Sequence, residues 1–128
     1  MCMKVRHLPW ELMYELDAIA IGTGPSFYEW LKTPPPEGVK LYGSGVSSRH
    51  IKLDVYAIGD TCHIPNIPKD AVVYGTDTML RYSDKILPYG HTYPHGGSSG
   101  GMAISLACLY HDRIGIVGCD DGSGKEDC

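Results

Sequence analysis

Two glycine-rich turns carry the residue types best suited to holding an anion. Gly22-Thr23-Gly24-Pro25-Ser26 follows the apolar Ala18-Ile19-Ala20-Ile21 and precedes Phe27-Tyr28-Glu29-Trp30-Leu31. Gly96-Gly97-Ser98-Ser99-Gly100-Gly101 precedes an apolar run that ends in Cys108-Leu109-Tyr110. Glycine lets a ligand approach the main chain, and the start of a helix offers unpaired N–H groups at the positive end of its dipole. Both turns therefore read as phosphate-binding, which points to a nucleotide or another phosphorylated ligand. The first turn lacks the third glycine of a dinucleotide fingerprint, and the chain has no Gly-Lys-Ser/Thr of a P-loop. Its plainer reading is a tight turn that packs a helix on a sheet. The second turn adds the Ser98 and Ser99 hydroxyls to its accessible N–H groups.

The remaining chemistry is sparse. Asp60 closes an apolar run, where a carboxylate can bind a ribose hydroxyl or hold Mg²⁺ through water. Asp77 and Asp120 occupy similar places, and Asp60 with Asp120 is the pair expected to hold Mg²⁺ on a diphosphate. The alternative for each is a turn aspartate bonded to its own backbone. His95 is read either as a phosphate contact and general acid or as a solvated loop histidine. Its spacing from His91 suits a metal only on a helix, and Pro94 between them opposes one. Cys62-His63 is a weak candidate for a nucleophile or metal pair. Arg49, His50, Lys52, Arg81 and Lys85 are the cations best placed to meet an anion, with a solvated face as the competing reading. Of nine tyrosines, those in strands are expected to fill the core, and others to stack on a base.

These residues must be positioned by alternating strands and helices. Strands are expected over residues 17–22, 39–43, 54–59, 71–75 and 114–118, the last of them buried. Helices are expected over 26–33 with Ser26 as N-cap, over 78–86, and over 99–110, with a further short helix near residues 9–16. Prolines at 65 and 68 make 61–70 a loop, and 87–97 reads as another. The helix over 99–110 has apolar residues around most of its circumference, the pattern of a helix buried against a sheet. The fold class is α/β: a Rossmann-like three-layer fold with a mostly parallel sheet of about five strands, and ligands at the carboxyl edge. Gly22, Gly43, Asp60, Gly75 and Asp120 all fall on that edge.

Length and composition set the frame. A chain of 128 residues suits one domain, read as residues 1–122 with a disordered tail at 123–128. No apolar run approaches the roughly 20 residues that span a bilayer, and the start shows no signal-peptide pattern. The net charge of −4 argues against a nucleic-acid partner, which requires a basic face. Five cysteines, an odd number without a Cys-x-x-Cys pair, are expected to be thiols, and a cytoplasmic protein follows. A lean sheet with exposed tyrosines also invites homo-oligomerisation.

The order of these segments resembles the Rossmann-like family of 6-hydroxymethylpterin pyrophosphokinases and motility-associated glycosyltransferase-like proteins. The resemblance rests on Gly22-Thr23-Gly24-Pro25-Ser26, on Leu53-Asp54-Val55-Tyr56 leading to Asp60, and on Ser98-Ser99-Gly100-Gly101-Met102-Ala103 followed by Ile116-Val117-Gly118-Cys119-Asp120. The proline that leads the family's second motif is absent, and the chain is shorter than those relatives. Sialyltransferases show a similar motif order, although their terminal histidine motif has no counterpart here. The resemblance implies a nucleotide or nucleotide-sugar ligand, held by Gly22, Thr23, Gly24, Pro25, Ser26, Ser44, Asp60, Thr76, Gly97, Ser98, Ser99 and Gly100. For an enzyme it implies phosphoryl, diphosphoryl or glycosyl transfer, with Asp60 and Mg²⁺ neutralising charge and His95 as acid. A compact chain of this kind also fits a non-catalytic viral or mobile-element protein that sequesters a nucleotide-derived metabolite or signal.

Overall fold

A computed structural model describes residues 16–33, 35, 37–44, 46–59, 61–89 and 99–119. Six short strands alternate with two α-helices and three 3-10 turns. They are β1 (Ala18–Ile21), α1 (Pro25–Trp30), β2 (Lys40–Ser44), β3 (Val55–Ile58), β4 (Val72–Gly75), β5 (Ile86–Pro88), α2 (Ser99–Tyr110) and β6 (Ile114–Val117). The 3-10 turns, Val46–Arg49, Thr61–Asn66 and Leu80–Tyr82, lie in the β2–β3, β3–β4 and β4–β5 connections.

The sheet order is β5-β4-β3-β2-β1-β6, and all five pairings are parallel. The chain thus steps outward from β1 to β5, then returns through α2 to lay β6 on the free side of β1. That reversal places the topological switch point between β1 and β6, where open α/β sheets collect their ligands.

Strand alternation divides the core in two. Ile19, Ile21, Leu41, Tyr56, Ile58 and Val73 face one side with Phe27, Trp30 and Met79. Ala18, Ala20, Tyr42, Val55 and Ala57 face the other, under Met102, Ala103, Leu106 and Ala107 of α2. Alanine opposes alanine along this second interface, so the helix can approach the sheet closely.

Several expectations give way to local packing. The sheet has six strands, because residues 78–86 form no α-helix. Met79 N–H donates to Thr76 O at 2.8 Å, and a Cβ on Gly75 would stand 2.9 Å from Met79 Cβ and 2.8 Å from Ile86 Cγ2. This tight turn sends Ile86 back beside Val73 as β5. Pro88 is tolerated there because the strand lies at the sheet edge and ends. Residues 61–70 begin with a six-residue 3-10 turn that accommodates Pro65, not with an irregular loop.

The last strand, β6, is an edge strand rather than a buried one, with Ile116 38% exposed. α2 packs against the sheet as expected through Met102, Ala103, Leu106 and Ala107, while Leu109 and Tyr110 are 62% and 60% exposed. α1 starts at Pro25 with Gly24 as its N-cap, so Ser26 stands inside the first turn. The expected helix near residues 9–16, apart from Leu16, and the tail at 123–128 lie outside the described residues. Among the described residues, no helix is long and apolar enough to cross a membrane.

Candidate functional site

The β1 turn is shaped first by its neighbour β6. Gly22 N–H donates to Val117 O and Gly24 N–H to Gly118 O, each at 2.7 Å, and Gly118 N–H donates to Ser26 Oγ at 2.8 Å. A Cβ on Gly22 would collide with Gly118 O. Gly118 has φ 77°, and its own Cβ would meet Gly22 O at 2.5 Å. The two strand ends therefore form a clasp that glycine alone allows. Pro25 has no N–H, and Phe27 N–H is bonded to Gly24 O at 3.0 Å. The Gly24 N–H that suggested phosphate binding is thus turned toward β6, and Ser26 Oγ serves there as an acceptor. Thr23 remains half-buried at the rim.

α2 supplies the other half of the edge. Its carboxyl end passes through His111 to Arg113, whose carbonyl accepts from Asp17 N–H at 2.8 Å beside the start of β1. Twelve residues of helix span about 18 Å. Ser99 and Gly100 therefore open α2 at the carboxyl edge of the sheet, on the face where it packs over β1, β2 and β3. Of the second turn, Gly97 and Ser98 lie outside the described residues, as do Asp60, His95 and Asp120.

Other predicted positions are distributed along the same edge. Ser44 is buried at the end of β2, and its carbonyl accepts the Ser47 hydroxyl at 2.7 Å. Thr76 follows β4, with its hydroxyl 3.0 Å from that of Thr78. Gly59, the residue before Asp60, has Thr76 Cγ2 as its nearest outside neighbour, 4.0 Å from the position of a Cβ. Asp77 is exposed just beyond Thr76. Among the described residues no three His, Cys, Asp or Glu side chains form a group able to hold a metal.

One expectation is overturned here, and one residue named in the sequence gains a structural setting. Cys62 is disulfide-bonded, contrary to the expectation of five thiols, and its partner lies outside the described residues. Parity and the missing Cys-x-x-Cys argue only about local pairs, and are silent on a long-range bridge. Cys108 and Cys119 are exposed thiols. That residue is His50, whose ring meets Tyr28 at 5.6 Å and Phe27 at 5.8 Å, both edge-on, joining the β2–β3 connection to the first turn of α1. Its place among the basic residues was the sequence signal, and its packing on α1 was not readable there.

The tyrosines of the strands serve the core and the opposite half of the molecule. Tyr56 is buried and its hydroxyl accepts Leu53 N–H at 3.1 Å. Tyr42 hydrogen-bonds His111 Nε2 at 2.8 Å, and burial, followed by the nearby Tyr110 and Asp54, holds its phenol above the ordinary value. Tyr74 shares a 3.2 Å hydrogen bond with Tyr110, which with burial pushes its pKa up to about 12. These contacts tie the end of α2 and the residue that follows it to β2 and β4. Comparison with protein-family models, curated proteins and solved structures returns no match to this chain.

Proposed function

We propose that this protein binds a nucleotide or nucleotide sugar at the carboxyl edge of its sheet. The observation that carries the reading is the position of the α2 start, with Ser99, Gly100 and Gly101 at the same edge as the β1 turn and beside the switch point. A twelve-residue helix presents its first N–H groups and its dipole there, which favours a phosphate. Ser44 and Thr76 extend the same edge outward from β1 toward β4. The resemblance to pyrophosphokinase-like and glycosyltransferase-like proteins belongs to the proposal, and would make the ligand a donor in phosphoryl, diphosphoryl or glycosyl transfer.

A second reading, sequestration of a nucleotide-derived metabolite or signal without turnover, draws on the β1 turn. Its Gly24 donor and Ser26 acceptor are engaged by Gly118, so this half of the edge is built for rigidity more than for charge stabilisation in a transition state. A small viral or mobile-element protein acting in the cytoplasm, alone or as a homo-oligomer, fits that role.

The test is a thermal-shift screen with nucleoside mono-, di- and triphosphates and nucleotide sugars, with and without Mg²⁺, confirmed by calorimetry. Binding by the wild type and its loss in Ser99→Trp is the expected result. No stabilisation by any probe overturns the reading. Recovery of the bound nucleotide intact after prolonged incubation selects sequestration over transfer.

A further inference from the structure

The β2–β3 connection is short, braced and basic. Residues 45–54 contain Arg49, His50 and Lys52 and a single acid, Asp54, in a chain of net charge −4. The connection folds tightly over the end of β2, since a Cβ on Gly43 would come within 2.6 Å of both Ser47 Oγ and Leu53 Cδ1. Ser47 is fully buried, with its hydroxyl on Ser44 O. Ser47 O in turn accepts His50 N–H at 3.1 Å and Ile51 N–H at 3.2 Å.

The backbone of His50 is thereby fixed, and its ring is fixed as well. Edge-on contacts to Tyr28 and Phe27, with interplanar angles of 80° and 68°, hold the imidazole beside the first turn of α1 while the residue stays exposed. An exposed histidine on a solvated loop has no such restraint. A ring held in place loses little freedom when it binds, so its N–H is a preorganised donor. Arg49, exposed and adjacent in sequence, adds a guanidinium fork suited to phosphate oxygens.

We propose that Arg49 and His50 receive a phosphate group of the ligand at the β1–β2 end of the carboxyl edge. This deepens the nucleotide reading and rests on it. The group recognised is the phosphate, and the base or sugar lies toward the start of α2.

Calorimetry on the wild type, His50→Ala and His50→Gln with ADP, CMP, UDP-glucose and inorganic pyrophosphate tests the assignment, with adenosine and cytidine as unphosphorylated controls. For the phosphorylated probe that binds best, His50→Ala is expected to weaken affinity by about 10- to 100-fold, the value of a hydrogen bond to a charged group. His50→Gln, which keeps an N–H donor, is expected to fall between. Unchanged melting temperatures separate this loss from misfolding, and nucleoside binding should be the same in all three proteins. In the wild type, the His50 imidazole resonance should move on addition of the probe. Equal affinity in wild type and His50→Ala with a stationary resonance overturns the assignment and leaves the nucleotide reading intact. Failure of the wild type to bind any phosphorylated probe overturns both.

Discussion

Gly118 shows how a residue that resembles part of a ligand motif can be required by the fold instead. Its φ of 77° lies in the left-handed region, and a methyl group there would meet Gly22 O at 2.5 Å and Phe27 Cβ at 2.8 Å. Two of these obstacles are main chain or a buried side chain, so neither can swing aside. Gly118→Ala combines left-handed strain with a clash across the β1–β6 clasp, and is expected to cost about 2–4 kcal/mol. Chemical denaturation measures it directly. An unchanged midpoint would mean that the clasp relaxes without cost. Gly38, also left-handed with φ 78° but with nothing within 4 Å of a Cβ, supplies the control. Gly38→Ala carries only the backbone strain and should cost less than Gly118→Ala.

At the scale of elements, α2 was legible in its limits and in its packing on the sheet, but not in the exposure of its last turn. Ser99–Tyr110 begins and ends where the glycine turn and the apolar run place it, and the cores of β1 to β4 follow their apolar runs. The helix crosses the middle of a six-stranded sheet, over β1, β2 and β3, and one side of it meets those strands. Apolar residues around the circumference do not reveal how many neighbours a helix has. β5 was hidden because Pro88 reads as a breaker in sequence, while an edge strand tolerates proline. The site was legible in part: sequence places Gly22 and Ser99 at one edge, but the pairing of Gly24 with Gly118 and the packing of His50 on Tyr28 depend on partners 94 and 22 residues away.

One-sided coverage makes a direct prediction for α2. Leu106, 2% exposed among alanines, should cost about 2–5 kcal/mol when cut to alanine, through lost transfer energy and the cavity left. Leu109→Lys, on a residue 62% exposed, should change stability by no more than about 0.5 kcal/mol. Comparable losses at both positions would show that Leu109 is covered in solution, as homo-oligomerisation through this helix would require.

For the whole molecule, the Cys62 disulfide and the proposed cytoplasmic setting pull in opposite directions. Cytoplasmic thiols are kept reduced, whereas a bridge that closes a long stretch of chain stabilises a small domain chiefly by restricting its unfolded state. Cys62 is exposed at the start of the β3–β4 connection, so a reductant can reach it. Reduction is expected to lower stability by about 2–4 kcal/mol, read as a lower denaturation midpoint for the wild type with dithiothreitol than without. Cys62→Ser should melt at the reduced value under both conditions. Identical midpoints, with thiol labelling proving reduction, would show that the bridge adds nothing to the fold. The same labelling applied to protein trapped in acid straight from cells decides the setting. A reduced Cys62 fits the cytoplasm and makes the oxidised form a product of isolation, whereas an intact bridge overturns the cytoplasmic placement and moves the search for the ligand to oxidising compartments.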